Sequence, residues 1–179
     1  MAYLANTFNS LRTPGKNDLV VLSGGDMFQG TAVSNLLKGA PVIESMNAMK
    51  FDAMALGNHE FDWGLEQVIQ NGKLKNSEIP VLACNVFDKA TGKLTSAVSP
   101  YTIVEKEGKK IAIIGAVDNE DYSAVILKSL IASYEFKDAA TMINQYAKEI
   151  IDGKKADAVI VLAHIGATYN EKTNQNVGT

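Results

Sequence analysis

The chain alternates short apolar runs, rich in β-branched residues, with longer segments whose apolar residues recur at helical spacing. Two neighbouring runs flank the turn-like sequence Glu107-Gly108-Lys109 and predict a β-hairpin. The run at 158–163 is the most continuous, and it predicts the clearest buried strand of the chain. Altogether the pattern predicts strands at 19–22, 53–56, 80–84, 101–105, 110–116 and 158–163.

Three segments between these runs have the spacing of amphipathic helices. The first covers 32–50, with an interruption at Gly39-Ala40-Pro41, and the second covers 65–74. The third covers 138–151 and begins with Asp138 as a candidate N-cap. We expect the core side of this last helix to contain Ala139, Met142, Ile143, Tyr146 and Ile150. The polar segment 169–179 shows no period and predicts an exposed loop or a frayed end.

The alternation of strands and helices predicts a layered α/β fold, with helices packed against a mostly parallel sheet. Its 179 residues, of which 46% are hydrophobic, suit one globular domain. A net charge of −3 argues against binding to a nucleic-acid polymer. The single cysteine, Cys84, excludes an intramolecular disulfide and a cysteine-based zinc site, and we expect it to be a core residue. No apolar run approaches the roughly 20 residues of a membrane span, and no signal-peptide pattern is present.

Polar residues follow several of the predicted strands, where ligands of open α/β sheets bind. Asp26, Asn58 and His164 come just after three of these strands, and Asn85 follows a fourth. Carboxylate, amide and imidazole groups without a thiol suit Mn²⁺, Fe or Zn²⁺. Each residue also has a purely structural interpretation, because Asp and Asn after glycine shape turns and a lone histidine can be a hydrogen-bonded core residue. The acidic run at 118–121 predicts a solvated loop.

Two segments together carry a specific resemblance. Gly25-Asp26-Met27-Phe28-Gln29-Gly30 is followed, 32 positions on from Asp26 to Asn58, by Gly57-Asn58-His59-Glu60-Phe61-Asp62-Trp63-Gly64. This pairing closely resembles the calcineurin-like metallophosphoesterases, in the branch of the 5'-nucleotidases and 2',3'-cyclic-nucleotide phosphodiesterases. The strand ending in Val161-Leu162-Ala163-His164 is similar to a later single-histidine motif of that family, and 100–115 is similar as well. The likeness therefore covers most of the chain.

The resemblance implies a role for five residues. Asp26 resembles the carboxylate that bridges two metal ions, while Asn58 and His164 resemble ligands of the second ion. His59 resembles the histidine that faces the phosphoryl group, and Asp62 resembles the carboxylate that orients it. The implied cofactors are divalent ions (Mn, Zn, Fe, Mg or Ca), which form a pair in the family. The implied reaction is hydrolysis of a nucleotide or another phosphate ester by in-line attack of a metal-activated water.

The sequence also departs from the family pattern. The family's Asp-x-His motif, on a strand before the first helix, is absent here, and the opening Met1-Ala2-Tyr3-Leu4 already resembles that helix. A Gly-His-x-His motif is absent as well. We therefore expect residues 1–179 to be a partial catalytic domain without the first strand and the C-terminal part, and with an incomplete metal set. A sheet left with a free edge invites self-association.

Two alternatives remain open at this level. The same fold can act on a sugar nucleotide or a phosphodiester, or the chain can be an inactive, truncated remnant that serves as a binding module. The resemblance implies an extracytoplasmic or cell-wall-attached protein, with the cytoplasm as the other location.

Overall fold

The structure is a computed structural model that describes residues 2–66, 77, 79–119, 126–170, 172–173 and 175–178, with only the backbone at 167–170 and 175–178. Helices lie between several of its strands, as the apolar pattern predicts, while two groups of strands follow one another without an intervening helix in the described residues. In order they are α1 (Ala2–Leu11), β1 (Leu22–Ser23), α2 (Ala32–Leu36), α3 (Ala40–Ala48), β2 (Ala53–Ala55), a 3-10 turn (His59–Phe61), β3 (Val81–Leu82), β4 (Val86–Asp88), β5 (Tyr101–Lys106), β6 (Lys109–Val117), α4 (Lys128–Ile131), β7 (Tyr134–Phe136), α5 (Ala139–Asp152), β8 (Ala158–His164), β9 (Ala167–Asn170) and β10 (Gln175–Gly178).

Two three-stranded sheets form the centre of the molecule. In the first, β1, β2 and β3 are all parallel. In the second, β5 and β6 form the predicted antiparallel hairpin, and β8 pairs parallel to β6 from Ile111–Ala158 to Val117–His164. The sheets pack closely, because a Cβ at Gly115 would overlap Leu82 of β3. The predicted α/β class, with parallel strands and flanking helices, is confirmed.

Helix α5 covers the second sheet and matches its prediction closely. The Asp138 side chain accepts a hydrogen bond from the Thr141 amide at 2.7 Å, so the predicted N-cap is confirmed. Its inner face packs on a buried cluster that also holds Cys84, as expected for a core thiol. The residues of this cluster are Cys84, Ala112, Ile114, Ala116, Ala139, Met142 and Ile150.

The predicted helix at 32–50 is divided where the sequence indicates. Gly39 has φ +80°, and a Cβ there would lie 2.7 Å from the Phe28 ring, so the break needs glycine. Pro41 then occupies the first turn of α3, where a missing amide proton costs nothing. Most of the helix predicted at 65–74 lies outside the described residues, so that prediction is not tested beyond Glu66.

Two expectations are wrong, and a third is wrong for one of its residues. The strand at 158–163 forms β8 but is not deeply buried: Val161 is 46% exposed, because among the described strands only β6 pairs with β8. Asp118 is 5% exposed and not solvated, since it directly continues the buried strand β6; Asn119 is exposed, and 120–121 lie outside the described residues. The segment 169–179 is not an irregular end, because β9 and β10 pair as an antiparallel hairpin. Within the described residues, no helix has the length and apolarity that crossing a bilayer requires.

Candidate active site

Three strand ends bring Asp26, Asn58 and His164 together. Asp26 lies in the loop after β1, Asn58 lies in the loop after β2, and His164 is the last residue of β8. The Nε2 atom of His164 lies 3.2 Å from Asp26 Oδ2 and 3.1 Å from Asn58 Oδ1. The side chains of Asp26 and His164 are 29% and 27% exposed, so a small solute can reach them.

The hydrogen bonding of His164 makes this cluster suited to a cation. Its Nδ1 atom lies 2.7 Å from the carbonyl oxygen of Gly24, which can only accept, so Nδ1 carries a proton. In the neutral ring, Nε2 is then a lone-pair donor that faces two oxygens with lone pairs of their own. A cation placed between these three atoms, such as a bound metal ion, would be stabilised by all of them. One carboxylate, one amide and one imidazole fit a divalent metal.

This ligand set is small. Within the described ranges, no group of three or more His, Cys, Asp and Glu side chains forms a metal cluster. The present cluster contains two such side chains and completes itself with the Asn58 amide. It corresponds to the three metal ligands that the sequence indicates.

The second predicted pair, His59 and Asp62, lies beside this cluster. Their side chains are in contact, with His59 Nδ1 2.9 Å from Asp62 Oδ2. The 3-10 turn His59–Phe61 makes this contact, because it places residues three apart on one side. The His59 amide also donates to Asp26 Oδ1 at 2.9 Å, so the pair is anchored directly to the metal-suited cluster.

Glu60 is a residue of this site to which the sequence analysis assigns no role. Its carboxylate is fully buried and accepts three backbone hydrogen bonds: from Gly57 at 2.7 Å, from Asp26 at 2.9 Å and from Met27 at 2.9 Å. Burial raises the pKa of the Glu60 carboxyl, and the three amide hydrogen bonds oppose that shift. The one feature of the sequence that could have indicated this role is that Glu60 is a second acidic residue, besides Asp62, within the segment Gly57–Gly64.

Two glycines allow the β1 and β2 loops to approach each other. A Cβ at Gly25 would lie 2.7 Å from the Gly57 amide nitrogen, and a Cβ at Gly57 would lie 2.5 Å from the Asp26 amide nitrogen. Asp26 itself has φ +55°, in the left-handed region that most side chains avoid. The hydrogen bonds to Asp26 compensate for this unfavourable backbone conformation.

Asn85 follows a strand but does not join the cluster. Its fully buried side chain donates to the carbonyls of Val117 at 2.7 Å and Lys137 at 3.0 Å, and accepts from the Val117 amide. It therefore connects three segments of the core. Asp118 is also buried, and its amide donates to the His164 carbonyl at 2.9 Å, which fixes the end of β8.

A cavity of about 710 Å³ lies away from this cluster, at the amino ends of β1 and β2, beside the end of α1. Two of its cationic groups already have partners. Arg12 donates to Asn9 and to the Met49 carbonyl, while Lys106 pairs with Asp52 at 2.6 Å. The titratable groups of the candidate site converge instead at the carboxyl ends of the strands.

Comparisons with known proteins agree with this geometry. Residues 1–177 match the family model of the calcineurin-like phosphoesterases. A 5'-nucleotidase of Vibrio cholerae is 35% identical over 158 residues, which are 88% of this chain and 28% of that protein. The cell wall protein Lmo0130 of Listeria monocytogenes is 32% identical over 196 aligned positions, covering 98% of this chain and 24% of the relative.

A solved structure is similar as well. The NAD nucleotidase of Haemophilus influenzae superposes with a TM-score of 0.70 at 32% identity, over 90% of this chain and 31% of that one. The chain thus spans less than a third of the length of each of these three proteins. The match of the family model over nearly all of its residues shows that the chain belongs to the calcineurin-like phosphoesterase family.

Proposed function

We propose that residues 1–179 form part of a metallophosphoesterase catalytic domain that hydrolyses nucleotide phosphoesters, in the manner of a 5'-nucleotidase or a 2',3'-cyclic-nucleotide phosphodiesterase. One observation carries the proposal: Asp26, Asn58 and His164 converge beside the His59–Asp62 pair, and Asp26 contacts both groups. A cation site next to an oriented imidazole can activate water and stabilise the charge that develops during phosphoryl transfer.

Asp26, Asn58 and His164 are the residues that would hold a divalent ion. The bound metal supplies a Lewis acid and an activated water at neutral pH. The chain's part is to hold its donor atoms in place. The Gly24 carbonyl keeps the proton of His164 on Nδ1, and the His59 amide anchors one carboxylate oxygen of Asp26. The other oxygen, Oδ2, is the one nearest to His164.

His59 is the proposed catalytic residue. Asp62 accepts a hydrogen bond from Nδ1, which fixes the ring orientation. When the ring is protonated, the other nitrogen, Nε2, can donate to the phosphoryl oxygens and stabilise their charge, or pass its proton to the leaving group. The His59 side chain is 32% exposed, which leaves it accessible to a substrate.

The relatives support the substrate class and the location. The V. cholerae relative is a 5'-nucleotidase, and the H. influenzae structure is an NAD nucleotidase, so both names point to nucleotides. The L. monocytogenes relative is a cell wall protein, which supports an extracytoplasmic or wall-attached location. The exposed strand β8 further supports self-association through a sheet edge.

The experiment that tests the function combines binding and turnover. Mn²⁺ binding is titrated by calorimetry, and hydrolysis of AMP and of 2',3'-cyclic AMP is measured with Mn²⁺ present. We expect Asp26→Asn to weaken Mn²⁺ binding, and His59→Asn to lower kcat by about 10²-fold or more while Mn²⁺ still binds. Mn²⁺ binding without turnover would favour a metal-binding module. Mn²⁺ binding that Asp26→Asn leaves unchanged would refute the assigned metal site.

A further inference from the structure

We propose that Glu60 is a positioning residue that sets the geometry of Asp26 and Asn58 by joining the β1 and β2 loops; the inference rests on the metal site proposed above. Its carboxylate accepts backbone hydrogen bonds from both loops. Asp26 and Met27 belong to the loop after β1, and Gly57 belongs to the loop after β2. Among the hydrogen bonds of the described residues, none joins Glu60 to His164, so Glu60 acts through the residues that it holds.

The number of hydrogen bonds argues that this carboxyl group has a specific task. A fully buried carboxylate is costly unless it is well hydrogen-bonded, and here three amide donors surround it. One oxygen, Oε2, is shared between Asp26 and Gly57 and so bridges the two loops directly. A carboxylate can fill this position because both of its oxygens accept, whereas a carboxamide would place an NH₂ group against an amide donor.

The consequences for the metal-suited residues follow from the same contacts. The Asp26 amide is held by Glu60 although the Asp26 backbone has φ +55°. The Asp26 side chain is held by the His59 amide through Oδ1, which leaves Oδ2 nearest to His164. Asn58 lies between Gly57 and His59, and the amides of both neighbours are engaged in this network. Glu60 therefore fixes the backbone positions of Asp26 and Asn58, which carry two of the three donor side chains.

A matched control exists at the other end of the same strands. Asp52 precedes β2, accepts from the Val21 amide at 2.8 Å and pairs with Lys106 at 2.6 Å. Its side chain is 16% exposed, so it is also a substantially buried carboxylate bonded to backbone. Asp52→Asn should destabilise the protein without touching the loops that carry Asp26 and Asn58.

The experiment compares Glu60→Gln with Asp52→Asn. Mn²⁺ affinity is measured by calorimetry, Tm is measured with EDTA present, and amide hydrogen exchange is measured at Asp26, Met27 and Gly57. For Glu60→Gln we expect Mn²⁺ affinity to fall about 10- to 100-fold, as for other groups that orient metal ligands, and the three amides to exchange faster. For Asp52→Asn we expect a lower Tm, an Mn²⁺ affinity within twofold of wild type and unchanged exchange at these amides.

The outcomes separate this inference from the proposed function. Unchanged Mn²⁺ affinity in a folded Glu60→Gln protein, or an equal loss in Asp52→Asn, would overturn the positioning role. If the wild-type chain binds no Mn²⁺, the metal assignment fails, while the exchange of the three amides in EDTA still decides whether Glu60 joins the loops. If Glu60→Gln does not fold, Glu60→Asp replaces it, because its side chain is one methylene shorter and draws the carboxylate back from the amides of Asp26, Met27 and Gly57; an Mn²⁺ affinity unchanged there would also refute the role.

Discussion

His164 Nε2 lies 3.2 Å from Asp26 Oδ2, although the two residues are near opposite ends of the chain. They belong to different sheets, since Asp26 follows β1 of the first and His164 ends β8 of the second. The contact is possible because the two sheets pack against each other with their strand ends at one edge. A site built in this way depends on correct packing of both sheets, so its integrity reports on the whole fold.

The contact between His59 and Asp62 predicts how much the loss of each side chain lowers kcat. Asp62→Asn keeps the size of the side chain but removes the negative charge 2.9 Å from His59 Nδ1. We expect kcat for AMP to fall about 10- to 100-fold, less than for His59→Asn, because the ring stays but loses its orienting partner. KM should change little. Steady-state kinetics with Mn²⁺ measures both quantities.

Asp152→Asn is the control for that substitution, since Asp152 pairs with Lys148 on the exposed side of α5. Its kcat should equal that of the wild type. Equal kcat in Asp62→Asn and in the wild type would contradict the orienting role of Asp62.

The Cys84 thiol should be unreactive in the folded protein. It is fully buried, and burial raises its pKa to about 11, so near neutral pH it is almost entirely protonated. We expect iodoacetamide to label it slowly in buffer and rapidly in concentrated urea. Mass spectrometry after timed quenching measures the two rates. Similar rates in both conditions would show that Cys84 is not enclosed.

The N-cap of α5 predicts a pH-dependent contribution to stability. The hydrogen bonds from the Thr141 hydroxyl and amide hold the pKa of Asp138 below its ordinary value of 3.8. A lowered pKa means that the cap stabilises the folded state above 3.8, and that this contribution is lost as the pH falls through the folded-state pKa. Asp138→Ala should therefore lower Tm at neutral pH, and the difference from wild type should shrink in acid.

Circular dichroism melts across the acid range provide this comparison. Asp152→Ala, at the last residue of α5, is the reference, because it removes a carboxylate from the same helix without removing a cap. A Tm difference for Asp138→Ala that stays constant down to strong acid would show that the cap does not act through its carboxylate.

The exposed strand β8 predicts concentration-dependent self-association. Val161 is 46% exposed on a strand that pairs, among the described strands, only with β6. Val161→Lys should reduce association in sedimentation velocity, because a charged side chain on an edge strand disfavours pairing with another chain. Ile151→Lys is the control, since Ile151 is 62% exposed but lies on α5. Equal association of wild type and Val161→Lys would exclude β8 as the contact.

Local regularity explains which elements could be predicted. The periodic spacing and the cap of α5, the β5–β6 hairpin and the break at Gly39 all depend on neighbouring residues, and all four match the structure. The hairpin of β9 and β10 was missed because its sequence is polar, and strand pairing of polar segments depends on a partner more than on composition.

The site could be predicted only in part, because some of its contacts follow from local motifs and others join segments distant in sequence. The two motifs around Asp26 and Asn58, and the position of His164 after a strand, indicated the sheet edge at which these three side chains converge. The roles of Glu60 and Asn85 could not be inferred from the sequence, because each side chain forms hydrogen bonds with backbone groups of segments distant in sequence. Such partners become neighbours only after the sheets have packed.

The sequence by itself therefore determined the family resemblance, the α/β class and the identity of the polar residues at strand ends. All three depend on the order and spacing of residues that are close together in the chain. Only the tertiary structure decided burial. Val161 is exposed and Asp118 buried, against expectation, because exposure depends on which strands pair and which loops meet. A hydrophobic pattern indicates which residues of a strand can be buried, whereas the packing of the two sheets decides which of them are buried.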